Sequence, residues 1–598
     1  MRRCVAVISG LAIGIFASEA LAGTYDLVIA DKTSQIDGKP VRTMAINGQI
    51  PGPLLKWREG EDVTIRVTNR LSVPTSVHWH GIIPPNAMDG VPGLTFKGIA
   101  PGQTFVYRFT LRQSGTYWYH SHSALQEQSG VYGSIVVTPK KRPGKIAADR
   151  RYDRDYVVLL SDQHSEDPHR IMRNLKRQSD YYNWNKQTLS GLLGRLLKTG
   201  SAKQKRAILR EQLAWDEMRM DATDISDISG YTFLMNGKTP AANWTALFRP
   251  GERVRLRFIN ASAMSFFDVR IPGLKMTVVQ ADSQDVVPVS VDRFRMGVAE
   301  TYDVIVQPAP GRAYTIMAAA MDRSGYAKGT LAPRPGMTAA VPTLGPRPVL
   351  KMSEMGPHMH GGEHAGHAMT APGKADPHAA HRQAAKAPTA KTRASKTPPS
   401  KTLAKADPHA GHRMAARDPH TGHTMPGKKT AKTMAAMTGQ KRRELQYADL
   451  RSAVPLRDHR PPAREIVVRL TGSMERYIWT LNDRKLGEDT PIQLRKGERV
   501  RLKFINETMM DHPMHLHGLW MELIGPGGHP VARKHTVIVR PGHELSVLVT
   551  ADATGKWALH CHLLFHMEAG MMTSVEVTGR NAKTTNTRKP KATPAHRH

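Results

Sequence analysis

Apolar and polar residues alternate with period two along Val63-Thr64-Ile65-Arg66-Val67-Thr68, Phe105-Val106-Tyr107-Arg108-Phe109-Thr110 and Val500-Arg501-Leu502-Lys503-Phe504-Ile505. That period marks strands with one face against a core. Pro-Gly and Asn-containing turns separate these short runs, so the chain reads as all-β, built of Greek-key β-sandwiches. The pattern also recurs at long range. Gly60, Asn69, His78, His80 and Gly81 match Gly497, Asn506, His515, His517 and Gly518 at a constant offset of 437. Pro101-Gly102, Gly115, His120 and His122 match Pro541-Gly542, Gly555, His560 and His562 at an offset of 440. The first and last regions are therefore copies of one unit. A third copy lies between them, since Arg249 to Asn260 parallels Arg495 to Asn506. It carries Val269 and Ile271 where the other copies carry histidines. The middle copy kept the scaffold and lost the imidazoles.

Two stretches break the strand pattern. Residues about 165–220 are rich in Arg, Lys, Leu and Gln, with Leu189, Leu192, Leu193, Leu196 and Leu197 at helical spacing, which predicts a helical insertion in the middle domain. Two readings stand, a helix packed over a sheet edge and a lid over a substrate, and the packing reading is the simpler. Residues 341–445 hold Ala, Lys, Thr, Pro, His and Met with almost no large apolar side chain, and so predict a disordered linker. Asp376-Pro377-His378, Asp407-Pro408-His409 and Asp418-Pro419-His420 repeat within it, each with a second histidine three positions after the first, downstream of Met352, Met355, His358, Met359, His360, His364, His367 and Met369. Imidazole and thioether favour copper, and the softer thioether favours Cu(I). The linker is thus either a collector of extra copper or a solvated spacer.

The chain opens on Met1-Arg2-Arg3, an apolar run from Val5 to Phe16 and then Ala20-Leu21-Ala22, which reads as a signal peptide over 1–22. The run is too short to span a membrane, so no transmembrane span is expected in the mature chain. Arg2-Arg3 fits twin-arginine export, but the rest of that motif is poorly matched, and the general secretory route stays open. Cys4 leaves with the signal, so Cys561 is the sole cysteine of the mature protein and no internal disulfide is expected. The predicted order is a sandwich at 23–145, a second at 146–340, the linker, a third at 446–580 and a basic tail at 581–598. A formal charge of +34 comes largely from the signal, insertion, linker and tail. No aromatic platform or nucleic-acid motif accompanies it, so nucleic acid is excluded as a partner.

The chemistry concentrates in His560-Cys561-His562-Leu563-Leu564-Phe565-His566 and the following Met571. A thiolate, two imidazoles and a distant thioether form the ligand set of a blue-copper electron-transfer site. Strand alternation sends Cys561 to one side and His560 and His562 to the other, so one strand serves two metal sites. Three further clusters, His78-Trp79-His80, His120-Ser121-His122 and His512-Pro513-Met514-His515-Leu516-His517, bring the total to ten histidines. One His-x-His alone is commonly just a same-face pair. Four in this order, with the central cysteine, resemble the multicopper oxidases.

Within that family the chain resembles the copper-resistance oxidases of the bacterial periplasm (the CopA type). The resemblance covers nearly the whole mature chain, including Thr24-Tyr25-Asp26-Leu27, Met88-Asp89-Gly90-Val91-Pro92-Gly93, Leu470 to Tyr477 and the His/Met-rich linker. It departs from the family in the linker, where histidine carries more of the repeat than methionine. The resemblance implies three cupredoxin domains, a periplasmic location and four coppers. His512, Cys561 and His566 would hold type 1 copper with Met571 as axial ligand. His78 and His515 would hold type 2 copper, and His80, His120, His122, His517, His560 and His562 the type 3 pair. Asp89 matches an acid beside that trinuclear centre, and a plain turn aspartate before Gly90 is an equal alternative. Glu568 is a weaker relay candidate.

Three functions follow. Cu(I) and O2 are the substrates of a cuprous oxidase serving copper resistance, phenolic donors those of a laccase-like enzyme, and a copper-sequestering protein needs neither. Twelve intact ligands argue against mere sequestration. Met509, Met510 and Asp511, just before His512, either receive Cu(I) or form an apolar lip with a turn acid. Periplasmic or outer-membrane copper-handling proteins are the expected partners.

Overall fold

The computed structural model describes residues 22–36, 38–140, 150–217, 221–357, 443–456, 458–473 and 476–579. The predicted signal peptide up to residue 21, the Asp-Pro-His repeats and the basic tail lie outside the described residues.

Alternation becomes burial as expected: in the strand Asp62–Asn69, Val63, Ile65 and Val67 are buried while Asp62 and Arg66 are exposed. Each such fully buried aliphatic side chain contributes about 1.5–3 kcal/mol relative to exposure. Two sheets form each of three sandwiches. The first pairs Lys39–Ile46, Ala22–Ile36, Asp62–Asn69 and Thr104–Thr110 with a sheet of Gly52–Arg58, Tyr132–Thr138, Gly115–His120 and His78–His80. The middle one sets a six-stranded sheet on a five-stranded one, and the third repeats that division. All three share a parallel pair: Ala22–Ile36 with Asp62–Asn69, Arg154–Gln163 with Val254–Asn260, and Arg464–Ser473 with Arg499–Asn506. The fold is all-β with three cupredoxin-like sandwiches.

The repeated asparagine explains part of the internal symmetry. Asn69 Nδ2 donates to the carbonyls of Val73 and Ile99, Asn260 to those of Ser265 and Met296, and Asn506 to those of Met510 and Val539. Each closes the loop that leads into the metal-facing strand, or into its apolar counterpart. There, Val269 and Ile271 are buried and make core where the other copies hold imidazoles.

The insertion is helical at Pro168–Arg177, Leu189–Lys198 and Ala202–Glu217. Ile171, Met172 and Leu175 of the first helix enter the core. The predicted packing stripe does not: Leu189, Leu193 and Leu197 are 86%, 58% and 75% exposed. Helical spacing gives a common face but does not say what covers it, and no described element covers this one. The third helix instead buries Trp215 against Ala222, Met355 and Met509.

The sandwiches dock closely. Gly115 and Gly555 hold φ of +138° and +137°; a Cβ would lie 2.4 Å from Ser283 of the middle sandwich and 2.4 Å from Asn86 of the first, respectively. Asn86 Nδ2 donates to the Lys556 carbonyl at 2.8 Å, tying first to third. Buried Lys534 of the third sandwich lies 3.1 Å from Asp282 and 3.0 Å from Glu300 of the middle one. A buried ammonium is tolerable only with such partners.

Candidate metal centre

Two clusters form on opposite faces of the strand Gly555–Cys561. On the inner face, Cys561 Sγ lies 3.5 Å from His512 Nδ1 and 3.8 Å from His566 Nδ1, and the two nitrogens are 3.2 Å apart. His512 opens the strand His512–Leu516, whose Met514 is paired in register with Cys561. His566 sits on the short helix Leu564–Ala569. Each imidazole is held from behind. His512 Nε2 donates to Thr508 Oγ1 at 2.6 Å, and that hydroxyl donates on to Asn506. His566 Nε2 donates to Asp227 Oδ2 at 2.7 Å, and Trp479 stacks on its ring at 3.9 Å. Both Nδ1 lone pairs therefore face the sulfur. Met571 is buried, and its backbone binds that of Cys561 and His566.

On the outer face, eight buried histidines from the first and third sandwiches converge. Strand pairing aligns His78 with His120 and His515 with His560. His122, His517 and His560 form one group, with Nε2 atoms 3.4 Å and 3.1 Å from that of His560. His80, His120 and His562 form another, with ring centroids 4.9 to 5.8 Å apart. His78 stacks on His517 at 3.9 Å, and His515 on His80 at 3.8 Å.

The protons are on the wrong side for hydrogen bonding between these rings. Nδ1 donates to the Asp89 carbonyl in His78, to Glu127 in His120, to the His535 carbonyl in His515, to Asp89 Oδ2 in His517 and to the Cys561 carbonyl in His560. Nε2 lone pairs therefore face one another; those of His78, His120, His515 and His562 have no hydrogen-bond partner, and neither ring nitrogen of His80 has one. Buried lone pairs converging in this way call for cations. Burial disfavours the protonated form of seven of the eight: His560, like the neighbouring His535, is pushed down to about 4, and His80, His120, His122, His515, His517 and His562 lie well below the usual histidine value. Burial likewise pushes the Cys561 thiol up, so ionising it requires a metal. Neutral imidazoles and one thiolate are copper donors, and both clusters fit copper.

Asp89 is fully buried, with Oδ2 2.8 Å from His517 Nδ1 and Oδ1 3.4 Å from His78 Nδ1. Glu568 is exposed, in an opening that also reaches His122. Met509 and Met510 are buried, and Asp511 is partly exposed with its carboxyl pKa raised by burial. Met510 and Asp511 line a cavity with Met264, Met321, Asp227 and Asp322. Asp227 bridges that cavity to His566. Sequence reasoning missed Asp227, Glu127 and His535. Only Glu127, five residues after His122, carried a local signal; the other two are lone residues far from any motif.

A cysteine–histidine site and an eight-imidazole site, on opposite faces of one strand and built from the first and third sandwiches, define a multicopper oxidase, and this chain belongs to that family. Multicopper oxidase family models match residues 28–142, 154–341 and 459–581. The chain is of the copper resistance protein A type. It is 48% identical over 592 residues to copper resistance protein A of Escherichia coli, covering 95% of this chain and 94% of the relative. It is 47% identical over 562 residues to the homolog of Pseudomonas syringae pv. tomato, covering 94% and 93%. Among solved structures, Fet3p, a multicopper oxidase that functions in iron import, superposes with a TM-score of 0.62 at 18% identity, covering 93% of this chain and 90% of that one. At that identity the match speaks for the fold alone. The protein is an oxidoreductase that uses O2 and holds four coppers, as type 1, type 2 and a type 3 pair.

Proposed function

We propose that this protein oxidises Cu(I) to the less membrane-permeable Cu(II), coupling it to four-electron reduction of O2 to water in the periplasm. One observation carries the reading: the cavity beside Asp227 and His566 is lined by the thioethers of Met264, Met321 and Met510 and the carboxylates of Asp227, Asp322 and Asp511. Thioether sulfur favours Cu(I), and carboxylates favour the harder oxidised ion. Tyr231, Phe233 and Phe266 line the same cavity, so the choice of Cu(I) over a phenol rests on the thioethers and carboxylates.

In this reading His512, Cys561, His566 and Met571 hold type 1 copper, His78 and His515 type 2, and His80, His120, His122, His517, His560 and His562 the type 3 pair. Bound copper supplies one-electron transfer at the first site and dioxygen reduction at the second. Cys561 is peptide-bonded to His560 and His562, so a short covalent path joins the two. Asp227 binds His566 and lines the substrate cavity, placing a donor there within one hydrogen bond of a type 1 ligand. Asp89 fixes the tautomer of His517 and is the group placed to carry protons to the histidine cluster. Oxygen uptake by one copper-loaded preparation, driven by Cu(I) or by a bulky phenol, tests the choice of donor; Cu(I) should give the larger kcat/KM.

The linker repeats serve as copper collectors in the same reading. Deleting residues 358–425 spares the packing of Met352 and Met355 beside Met509. The deletion should lower bound copper and cellular copper tolerance while leaving phenol oxidation intact. Equal copper by elemental analysis in intact and deleted proteins would remove the idea.

A further inference from the structure

The second inserted helix, Leu189–Lys198, is apolar on both sides. Leu192 and Leu196 are half-buried, while Leu189, Leu193 and Leu197 stand exposed, with no described element over them. A helix apolar all round is ordinarily a buried helix, so the outer stripe calls for a partner. The third helix extends it, with Leu209 and Leu213 43% and 63% exposed. Tyr181 and Trp184, on the connection into the second helix, are exposed as well.

The fold holds this surface in place. Thr188 caps the second helix, its Oγ1 accepting the Gly191 N–H at 3.1 Å. Arg195 Nη2 donates to Gln187 Oε1 at 2.6 Å and to Gln212 Oε1 at 3.3 Å, joining the two helices. Trp215 anchors the third helix, buried against Ala222, Met355 and Met509. With about 3.6 residues per turn, Leu213 and Arg206 then lie opposite Trp215, flanked by Leu209 and Arg210. All four are exposed.

Charge selects the partner. From Leu189 to Arg210 the chain carries six Lys and Arg and no Asp or Glu. The next acid, Glu211, is turned to the body of the molecule, where its carboxylate accepts the Met352 N–H at 3.1 Å. Exposed leucines among unbalanced cations make a surface that lies in the headgroup region of an anionic bilayer. A second copy of this chain would set the same cations against one another, which opposes association.

We propose that the helical insertion is a membrane-docking element, which lays its outer leucines into an anionic phospholipid bilayer with Lys198, Lys203, Arg206 and Arg210 on the lipid phosphates. Docking holds the cavity lined by Met510 beside the bilayer, because Trp215 of the same helix packs on Met509. Co-sedimentation with lipid vesicles tests this, using copper-loaded protein without residues 1–22, so that the N-terminal apolar run contributes nothing. Vesicles containing phosphatidylglycerol should bind the protein, less so as salt screens the charges, and pure phosphatidylcholine vesicles at least about tenfold more weakly. The triple variant Leu189→Gln, Leu193→Gln and Leu197→Gln leaves the charge of helices, linker and tail unchanged. Its affinity for the anionic vesicles should fall about tenfold or more, with the blue band and phenol oxidation in solution unaltered. Wild-type affinity in that variant would overturn the proposal, as would equal binding of the wild type to both vesicles or to neither. A wild type that ignores lipid and sediments as a dimer, beside a monomeric variant, would assign the stripe to a second copy and overturn it too. Should the triple variant lose its blue band, Arg206→Gln with Arg210→Gln decides. Binding to anionic vesicles weakened about tenfold supports membrane docking, and unchanged binding overturns it.

Discussion

Copper-loaded protein carrying Cys561→Ser is expected to lose its blue colour completely while keeping its fold. The strong visible band of a type 1 site arises from thiolate-to-copper charge transfer, and a serine hydroxyl supplies none. Cys561 is the free cysteine of the described residues, and its Sγ faces both His512 Nδ1 and His566 Nδ1. The sandwiches do not depend on it. Burying a hydroxyl in place of the thiol costs about 1–3 kcal/mol, too little to unfold three docked sandwiches. Copper content should fall by the type 1 ion alone, because the eight outer histidines keep their partners in Asp89, Glu127 and the backbone. Oxidase turnover should vanish with every donor, since electrons enter at this site. An intensely blue Cys561→Ser protein would show that the type 1 assignment is wrong.

Replacing Met509 and Met510 with leucine should lower cuprous oxidase activity about tenfold or more, equivalent to roughly 1.4 kcal/mol of lost transition-state stabilisation. Leucine keeps the volume nearly constant, and such swaps in a packed site usually cost less than about 1.5 kcal/mol of stability. The two residues are not equivalent. Met510 lines the cavity shared with Asp227 and Asp511, the cavity that receives Cu(I) in the proposed reading. Met509 packs behind it against Trp215 and Met355, and the single Met509→Leu change should have the smaller effect. Oxidation of an organic donor needs only access to the type 1 edge and should stay within about twofold. If the two activities fall together, or neither falls, the methionines are a packing lip and the laccase-like reading gains.

The clustering of the histidines and Cys561 was legible in the sequence because each motif is local. Period-two alternation in His78-Trp79-His80 or His560-Cys561-His562 decides which face a side chain takes, and the constant offsets reveal that the two motif pairs sit in equivalent units. The middle copy was equally legible, its Val269 and Ile271 marking a core where metal has gone. What the sequence hid comes from distant parts of the chain. Asp227 reaches His566 across 339 positions, and Asp282 reaches the His535 backbone across 253. Neither acid stands in a motif; each matters only because separate sandwiches dock. Asp89 was ambiguous for a related reason. The turn chemistry of Met88-Asp89-Gly90 is real, with a Cβ on Gly90 falling 1.9 Å from the Val77 carbonyl oxygen, yet the turn is buried against His517 rather than exposed. The leucines at 189, 193 and 197 mark the opposite limit, an apolar periodicity with nothing described to cover it.

The decisive measurement gives the copper-loaded enzyme Cu(I) as its sole electron donor and follows oxygen consumed against cuprous ion oxidised. The histidine cluster and its covalent link through Cys561 predict rapid uptake, four cuprous ions oxidised for each dioxygen and no hydrogen peroxide, at a kcat/KM above that for a bulky phenol. Two cuprous ions per dioxygen with peroxide accumulating, or uptake sustained by the phenol but not by Cu(I), would contradict the cuprous oxidase reading.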